Sequence, residues 1–493
     1  MLKEILINID NKEKRVALLE DKRLEEFYIE RDSSRGIFGN IYKGKVKTII
    51  PGIEAAFVDL GLKKDGFLYI ADAVSLPEEY KEAGQAAPKK DLNIKDVVHK
   101  GQEILVQVIK EPIGTKGVRL TTRISLPSRN MVLVPGEEHI GVSRRIESEA
   151  ERNRLKITLQ ELKLPKGMSF IIRTAARGKT KRELARDVKY LIKLWKKISA
   201  QSRRSKVPSL VHSELDLVLS IIRDSFTEDV ANLLVDNRDE YKRIFRFARS
   251  LLPPAYLSKI KLYQGANPLF EEYNIEREIK KIFKPTAYLK SGGHIIIEQT
   301  EGLVVVDVNT GRFTGKKGLE DTVFKTNCQA ASEIARQARL RNIGGIIVID
   351  FIDMDLSKNR KKVIETLKEA LSRDKAKVEV LPVSEIGLVE MTRQRTGPSL
   401  ADVLYDPCPY CQGSGSVKSI ISIAIEVLRQ IRGFFLSSRY IRGKTVIVIT
   451  HPRVRSRLLN EDKNFMVYLE RKYRTKITIN ENKDFHLEEI KMQ

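Results

Sequence analysis

Cysteine, histidine and long apolar segments are all scarce in this sequence. Three cysteines in 493 residues are too few for a disulfide framework. The six histidines are scattered along the chain, which disfavours a histidine-based nuclease or hydrolase. No apolar run reaches the roughly 18 residues of a transmembrane helix, and the alternating residues 1–10 predict a strand and not a signal peptide. We therefore expect a cytoplasmic protein without a membrane span.

The sequence also lacks a complete phosphate-binding loop motif. Residues 311–317 resemble such a loop, but they are one residue short of the nucleotide-binding spacing, and Lys317 stands where a Ser or Thr would bind Mg²⁺. An NTPase is therefore disfavoured. Glycine-rich turns and basic side chains bind phosphodiesters more generally, so a contact between this loop and a nucleic-acid backbone stays open.

Acidic residues are outnumbered by basic ones. The chain has 89 Lys and Arg against 65 Asp and Glu, which gives a formal net charge of +24 and a pI near 9.7. The hydrophobic fraction of 42% is that of an ordinary globular protein, and the length favours roughly three to four domains. Such a charge balance favours a polyanionic partner, with nucleic acid first and an anionic membrane surface as the alternative.

Two apolar strands that each end in aspartate are the most informative feature. Residues 303–309 read LVVVDVN and residues 346–350 read IIVID, and both runs are typical of parallel strands buried on both faces. Asp307 and Asn309 are two residues apart, so in a strand both side chains point to one side. In an open α/β sheet, ligands bind beyond the carboxyl ends of the strands, where Asp350 is also expected.

Carboxylate and amide oxygens gathered at such an edge favour a hard cation. Mg²⁺ typically takes one or two protein carboxylates and completes its shell with water and substrate phosphate oxygens. Each aspartate taken alone is equally compatible with capping a turn or the next helix. Two such strands in one βαβ unit, joined by a long helix predicted over 318–341, favour the metal site.

Residues 36–123 are predicted to form a small β-barrel. Short strands with glycine turns are expected at 39–46, 55–61, 66–70 and 104–108, with an exposed insertion loop at 82–95. Aromatic and basic side chains are interleaved there, namely Tyr42, Phe57, Phe67 and Tyr69 with Lys43, Lys45, Lys47, Lys63 and Lys64. Such a surface suits single-stranded nucleic acid, because bases stack on rings while cations follow phosphates. Any one ring is as compatible with the barrel core as with its surface.

The motif Cys408-Pro409-Tyr410-Cys411 lies in a hairpin rich in Gly and Ser. It resembles half of a zinc ribbon, but tetrahedral Zn²⁺ needs four ligands and the chain has no second CxxC. Two chains that each donate one pair to a shared ion across a two-fold axis would complete the set. A redox pair and a pair without metal are the alternatives, although a redox CxxC usually opens a helix of a thioredoxin-like unit.

The chain resembles the bacterial ribonuclease E/G family over nearly its whole length. The segments that carry the resemblance are 39–45 (GNIYKGK), 54–59 (EAAFVD), 143–147 (SRRIE), 172–175 (IRTA), 306–311 (VDVNTG), 339–345 (RLRNIGG), 349–354 (IDFIDM), 389–393 (VEMTR) and the CxxC. As a set they are highly specific. The length resembles that of the shorter members, without the long disordered scaffold of ribonuclease E.

The resemblance implies a multidomain fold of α/β and α+β units. An OB-type S1 barrel (36–123) would be inserted in a ribonuclease-H-like unit (1–35 and 219–283) and followed by a 5′-end sensor (124–218). A deoxyribonuclease-I-like α/β catalytic layer, a zinc link and a small α+β dimerisation domain would then occupy 284–402, 403–416 and 417–493.

The resemblance also assigns roles to residues. Asp307 and Asp350 match the family's Mg²⁺ ligands, and Asn309 matches their partner at the scissile phosphate. The remaining matches are Phe57, Phe67 and Lys116, with Lys110 beside them, for RNA on the barrel; Arg173 and Thr174, with Val132 beside them, for a 5′-monophosphate; and Cys408 and Cys411 for zinc shared between chains. Ser128 stands where the ribonuclease E pocket has a glycine, and its hydroxyl can donate a hydrogen bond to phosphate.

The implied activity is that of a Mg²⁺-dependent, single-strand-specific endoribonuclease. It would prefer a 5′-monophosphate, leave 5′-phosphate and 3′-hydroxyl ends, and act on ribosomal RNA precursors and mRNA as a dimer or tetramer. The residues alone leave two alternatives, a non-catalytic RNA-binding factor of translation or ribosome assembly and a Mg²⁺-dependent DNA nuclease or phosphoesterase. The strand-end acids argue against the first, and the barrel argues against the second because it suits RNA single strands.

Overall fold

A computed structural model describes residues 2–31, 36–74, 93–112, 117–136, 138–143, 145–311, 318–395, 397–437 and 445–493. The chain divides into two compact units, Met1–Ala401 and Asp402–Gln493. Residues 82–92 of the predicted insertion loop and residues 312–317 of the glycine-rich loop lie outside the described ranges. Among the residues so described, no helix combines the length and the apolar character that crossing a membrane requires.

Strands dominate the first 142 residues. They are β1 (Lys3–Asp10), β2 (Glu13–Glu20), β3 (Arg23–Arg31), β4 (Ile41–Ile50), β5 (Ala55–Asp59), β6 (Gly66–Tyr69), β7 (Glu103–Lys110), β8 (Arg119–Thr121), β9 (Leu126–Pro127), β10 (Met131–Pro135) and β11 (Ile140–Val142), with helices α1 (Ile70–Val74) and α2 (Ile94–Val97) between β6 and β7. Asn93 caps α2, because its side chain accepts a hydrogen bond from the Lys95 backbone. The insertion loop was predicted to extend to residue 95, but helix α2 begins at Ile94, so the predicted end of the loop is wrong.

Helices and strands alternate over the following 140 residues. They are α3 (Glu149–Gln160), β12 (Met168–Ile172), α4 (Lys181–Arg204), β13 (Ser209–His212), α5 (Leu217–Ser225), β14 (Val230–Val235), α6 (Arg238–Leu251), β15 (Ile260–Leu262), α7 (Leu269–Glu272) and α8 (Ile275–Ile282). A capping box begins α4, in which Thr180 and Glu183 each accept a hydrogen bond from the other's backbone N–H.

Strands from the start and the middle of the chain share one sheet of order β15-β14-β1-β2-β3. β1 runs parallel to β14 and antiparallel to β2. Helices α5 and α6 cover this sheet, and Ile222 and Ile244 pack against Ile5 and Leu233. Residues 1–35 and 219–283, which were predicted to form one split subdomain, therefore both contribute strands to this sheet. The boundaries of that subdomain and its ribonuclease-H-like classification stay predictions.

Strands β4 to β8 close into a barrel. The sheet order is β13-β4-β5-β6-β8-β7, and an additional pairing of β4 with β7 completes the ring. Its interior is filled by buried side chains, among them Val46, Val58, Leu68 and Val106, which are each at most 1% exposed. The predicted barrel is confirmed. Tyr42, which is 5% exposed, belongs to the barrel core and not to the nucleic-acid surface.

A smaller sheet of order β11-β12-β10-β9 follows the barrel. Helices α3 and α4 pack on it through Leu155, Leu184 and Leu191, none of which is exposed. Because α4 also reaches back to β13, this sheet and the barrel's extra strand are held by one helix.

The two aspartate strands lie side by side in a mixed sheet. Its elements are β16 (Thr286–Tyr288), β17 (His294–Gln299), β18 (Leu303–Asn309), α9 (Leu319–Leu340), β19 (Gly345–Asp350), α10 (Ser357–Leu371), β20 (Val378–Val383) and β21 (Val389–Arg393). The strand order is β16-β17-β18-β19-β21-β20, and only β18 and β19 pair in parallel. The long helix predicted between the two strands is confirmed as α9.

The expectation that β18 and β19 are buried on both faces is wrong. Leu303, Val305 and Ile346 are 36%, 38% and 50% exposed, whereas Val304, Val306 and Ile347 are at most 3% exposed. Helices α9 and α10 both pack on the face that carries the buried set, so the other face is open. Asp307 and Asn309 share the parity of Leu303 and Val305 along β18, which puts them on this open face.

A buried polar network fastens α9 to the first sheet. The Arg336 guanidinium donates to the Leu24 carbonyl from Nε at 3.0 Å and from Nη2 at 2.7 Å, and its Nη1 donates to Glu333 at 2.8 Å. Arg23 donates to the second Glu333 oxygen at 2.6 Å. Since removing one partner would leave a buried charge unpaired, this network fixes α9, and with it the sheet of β18 and β19.

The second unit is a small α+β fold. It contains the end of α11 (Leu400–Leu404), then α12 (Ile420–Ser437), β22 (Thr445–Thr450), α13 (Pro452–Asn460), α14 (Lys463–Tyr473), β23 (Lys476–Glu481) and β24 (Ile490–Met492). The sheet order is β23-β22-β24, and the helices pack on it through Val427, Ile431 and Val454.

Candidate active site

The register of two strands brings the predicted acids together. Asp307 and Asp350 are direct partners in the parallel pairing of β18 with β19, and adjacent strands lie about 4.8 Å apart. The Asn309 amide donates from Nδ2 to Asp307 Oδ2 at 2.6 Å. Asp307 is half-buried and Asp350 is exposed. The three predicted side chains therefore form one constellation at the carboxyl ends of the two strands.

A glycine turn closes tightly over the end of β18. A Cβ on Gly293 would lie 2.7 Å from the Asn309 carbonyl oxygen, and one on Gly311 would lie 2.6 Å from the Gly292 carbonyl oxygen. Gly311 also has a φ of +60°, which larger residues rarely adopt. Glycine is therefore required at positions 293 and 311, where the chain passes close to the end of β18.

The acids do not act as helix caps. Gly318 precedes α9 and Leu356 precedes α10, and neither cap involves a side-chain hydrogen bond. No group of three or more His, Cys, Asp or Glu side chains that could hold a metal occurs in the described part of the chain. Two carboxylates and an amide fit Mg²⁺, which keeps several positions for water and substrate oxygens.

A buried ion pair holds the start of β19. Arg393 donates from Nε and Nη2 to the Asp374 carboxylate at 2.8 and 3.1 Å, and the two side chains are 5% and 2% exposed. Arg393 Nη1 also donates to the Ile343 carbonyl at 2.7 Å, two residues before β19 begins. The strand that ends in Asp350 is therefore anchored at its beginning by a bidentate pair.

The barrel presents two of the predicted rings together. Phe57 and Phe67 are direct partners across β5 and β6, with ring centroids 5.8 Å apart in an edge-to-face arrangement. Both are half-buried and outside the barrel core, so part of each ring is open to solvent. Lys110 is exposed at the end of β7, and Lys116 lies outside the described residues. Sequence reasoning missed Arg119, which stacks over the exposed Tyr69 ring at 6.0 Å.

Arg173 and Thr174 lie directly after β12. The Thr174 hydroxyl is 3.2 Å from the Ser143 hydroxyl, in a turn that begins at Arg173. Arg173 Nη1 donates to the Ser128 carbonyl at 2.8 Å and to Asp224 Oδ1 at 2.9 Å. Asp224 was not predicted, because it lies 51 residues away with no motif to link it to Arg173.

Ser128 and Val132 are both buried: the Ser128 carbonyl accepts from Arg173, and Val132 pairs with Ile171 across β10 and β12. Neither side chain is exposed. The Ser128 hydroxyl lies 3.0 Å from the Met131 carbonyl and 2.9 Å from Asp187 Oδ2, so it is directed into the protein and not towards a ligand. Burial raises the pKa of Asp187, against the hydrogen bonds that it receives from Asn130 and Ser128. Contact of Ser128 and Val132 with a 5′-phosphate stays a prediction, and the orientation of the Ser128 hydroxyl disfavours a hydrogen bond from that group.

Comparison with known proteins gives the family. A model described as the Ribonuclease E/G family matches residues 125–396, an S1 RNA-binding-domain model matches 38–123, and an RNase E/G thioredoxin-like-domain model matches 407–493. Ribonuclease G of Escherichia coli (strain K12) is 44% identical over 434 residues, which cover 87% of this chain and 88% of that protein. The chain belongs to the ribonuclease E/G family. It is therefore an enzyme, an endoribonuclease that hydrolyses RNA phosphodiester bonds.

Two further relatives show how far the likeness extends. Ribonuclease G of Haemophilus influenzae is 43% identical over 460 residues, which cover 93% of this chain and 92% of that protein. Ribonuclease E of Escherichia coli (strain K12) is 40% identical over 465 residues, which cover 94% of this chain but 43% of that protein. The family assignment supports an S1 domain that binds single-stranded RNA and a metal-dependent nuclease site.

The CxxC lies in the unit that matches the family's thioredoxin-like domain. Backbone N–H groups of Gly415 and Gly413 donate to the Cys411 sulfur and lower the pKa of that thiol. Cys411 precedes the first residue of α12 by nine positions, so the pair does not open a helix. Tyr410 is fixed within this unit, since its carbonyl is 2.7 Å from His486 Nε2. A thiolate stabilised by backbone amides fits a zinc ligand.

Proposed function

We propose that the chain is a Mg²⁺-dependent endoribonuclease specific for single strands, with a preference for 5′-monophosphorylated RNA. The observation that carries the proposal is the pairing of Asp307 with Asp350 on parallel strands, with Asn309 bonded to Asp307. The family's activity on RNA and the two rings on the S1 barrel support the choice of substrate.

The proposed chemistry follows from these side chains. Asp307 and Asp350 would hold Mg²⁺, which supplies charge stabilisation at the phosphate and lowers the pKa of a bound water. Asn309 donates one amide hydrogen to Asp307, so its carbonyl oxygen stays available to orient water or phosphate. Attack by the water in line with the 3′-oxygen leaves a 5′-phosphate and a 3′-hydroxyl.

The function is tested with two short single-stranded RNAs that differ only in a 5′-monophosphate or a 5′-hydroxyl. The full chain is incubated with each in Mg²⁺ and in EDTA. We expect internal cuts that require Mg²⁺ and are faster on the monophosphorylated RNA. Tight binding without cleavage would favour a non-catalytic RNA-binding factor, and cleavage of the DNA counterpart at the same rate would favour a general phosphodiesterase.

The preference for a 5′-monophosphate is assigned to Arg173 and Thr174. Arg173 uses Nη1 for protein contacts, and its Nε and Nη2 make no hydrogen bond to any residue that the structure describes. Those two groups form one edge of the guanidinium, which can grip a terminal phosphate with two parallel hydrogen bonds. The exposed Thr174 hydroxyl can donate a further hydrogen bond.

Arg173→Ala is expected to reduce cleavage of 5′-monophosphorylated RNA more than cleavage of its 5′-hydroxyl twin. Loss of a charge-assisted contact to phosphate corresponds to about tenfold or more in kcat/KM. The measurement is the ratio of the two kcat/KM values, with Arg152, which is half-buried like Arg173, as the matched control position for the same substitution. Equal losses on both RNAs would show that Arg173 has no role in sensing the end.

Zinc shared between two chains is proposed for Cys408 and Cys411. We expect half an equivalent of zinc per chain in the purified protein, and we expect the Cys408→Ser/Cys411→Ser variant to lose both the zinc and the dimer. The checks are metal analysis and light scattering, with Cys328→Ser as the control because Cys328 lies in helix α9. One full equivalent per chain would contradict sharing.

The remaining parts of the proposal are the domain boundaries, the cytoplasmic location, the dimer or tetramer, and processing of ribosomal RNA precursors and mRNA. The cytoplasmic location was expected from the composition and the N-terminal sequence, and the other parts follow from the family resemblance. The deoxyribonuclease-I-like classification of the sheet that carries Asp307 belongs with them, as do the RNA contacts of Lys110 and Lys116.

A further inference from the structure

Arg173 belongs to a cluster of four alternating charges. Its Nη1 donates to Asp224 Oδ1 at 2.9 Å and to the Ser128 carbonyl at 2.8 Å. The other Asp224 oxygen accepts from Arg223 Nη2 at 2.9 Å, and Arg223 Nη1 donates to Glu214 Oε1 at 2.8 Å. Asp224 is therefore the bridge between a buried arginine and the arginine assigned to the 5′ end.

The exposed fraction of the side chain rises from Arg223 through Asp224 to Arg173. The side chains of Arg223, Asp224 and Arg173 are 10%, 27% and 35% exposed. Burial acts to raise the pKa of Asp224, but Arg223 and then Arg173 hold that pKa below its usual range. The carboxylate therefore stays ionised at neutral pH, and Arg173 always faces a negative partner there.

The hydrogen bond from Arg173 to Asp224 determines which edge of the Arg173 guanidinium is free. With Nη1 engaged by two acceptors, the plane of the guanidinium is fixed and the edge formed by Nε and Nη2 is left for a ligand. A fixed fork loses little conformational entropy when it binds phosphate. The negative charge of Asp224 also offsets the positive charge of Arg173. An internal phosphodiester is therefore not bound through excess positive charge alone.

We propose that Asp224 is a positioning residue that sets the specificity of the 5′-end pocket by orienting Arg173 towards a terminal phosphate. The inference rests on the proposed role of Arg173 and deepens it. In this role Asp224 acts through Arg173 and not through the RNA, and its two oxygens accept hydrogen bonds from Arg173 and Arg223.

The test measures kcat and KM of the full chain on the two RNAs that differ only at the 5′ end. Asp224→Asn is expected to reduce the preference for the monophosphorylated RNA by roughly 10–100-fold, mainly through KM, because Arg173 is no longer held in one orientation. Glu214→Gln is the matched control. Glu214 is also a carboxylate partner of Arg223, but it binds Arg223 Nη1 on the side away from Asp224, so its variant should keep the preference.

A double-mutant cycle separates positioning from a structural role. If Asp224 acts through Arg173, Asp224→Asn changes the preference in the native background and adds nothing in the Arg173→Ala background. Asp224→Glu supplies a variant that keeps the charge beside Arg223 but displaces the carboxylate by one methylene. Asp224→Glu should also lower the preference for the monophosphorylated RNA and should leave the thermal midpoint of unfolding unchanged. This second variant keeps the test decisive if Asp224→Asn does not fold.

The outcomes distinguish this inference from the proposed function. If Arg173→Ala abolishes the preference while both Asp224 variants keep it, the positioning role is wrong and the sensor assignment stands. An Asp224→Asn effect of equal size in the Arg173→Ala background would also overturn the positioning role. If the native protein shows no preference for a 5′-monophosphate, the sensor assignment fails and the inference fails with it.

Discussion

Asp307→Asn is expected to reduce Mg²⁺-dependent RNA cleavage by at least about 10²–10³-fold, the usual effect of removing a group that stabilises transition-state charge. The substitution keeps the size of the side chain and an oxygen near Asn309, but it removes one of two paired carboxylates. Binding of single-stranded RNA should persist, because Phe57 and Phe67 lie on a separate barrel. Cleavage in Mg²⁺ and RNA affinity in EDTA are the two measurements.

The control for Asp307→Asn is the same chemical change at a fully exposed position. The Asp239 side chain is 93% exposed and lies on α6, so Asp239→Asn should leave cleavage unchanged. Asp350→Asn should repeat the effect of Asp307→Asn, because the two carboxylates are partners in the strand register. Retained cleavage in both strand-end variants, or loss of RNA binding together with cleavage, would return the acids to a structural role.

Asp374→Ala is expected to destabilise the first unit by about 3–5 kcal/mol, the typical cost of leaving one member of a buried ion pair without its partner. Arg393 would remain buried with two donors unsatisfied, and the Ile343 carbonyl that it also binds would lose its fixed position. The measurement is the thermal transition of the full chain by calorimetry, in which this variant should unfold several degrees earlier than the native protein.

An exposed ion pair provides the contrast for Asp374→Ala. Lys362 and Glu365 lie 3.3 Å apart on α10, with side chains 52% and 61% exposed. Glu365→Ala should therefore change stability by less than about 0.5 kcal/mol. Similar transition temperatures for the Asp374 and Glu365 variants would show that the buried pair contributes little to holding β19.

Several features of this protein were determined by the sequence alone. The β-branched runs that end in Asp307 and Asp350 predicted adjacent strands and a long connecting helix, because strand and helix periodicities are local properties of the chain. The glycine-punctuated strands of residues 36–123 predicted the barrel for the same reason. The family assignment followed from segments that carry the resemblance throughout the chain.

Other features were decided only by tertiary structure, because they depend on residues far apart in sequence. Helices α9 and α10 pack on one face of the sheet and leave the other face exposed. A run of apolar residues does not show which face of a strand will be covered. Barrel closure placed Tyr42 inside and the Phe57–Phe67 pair outside, although the residue types are alike. The Asp224 partner of Arg173 lies 51 residues away, and no local pattern specifies a contact over that distance.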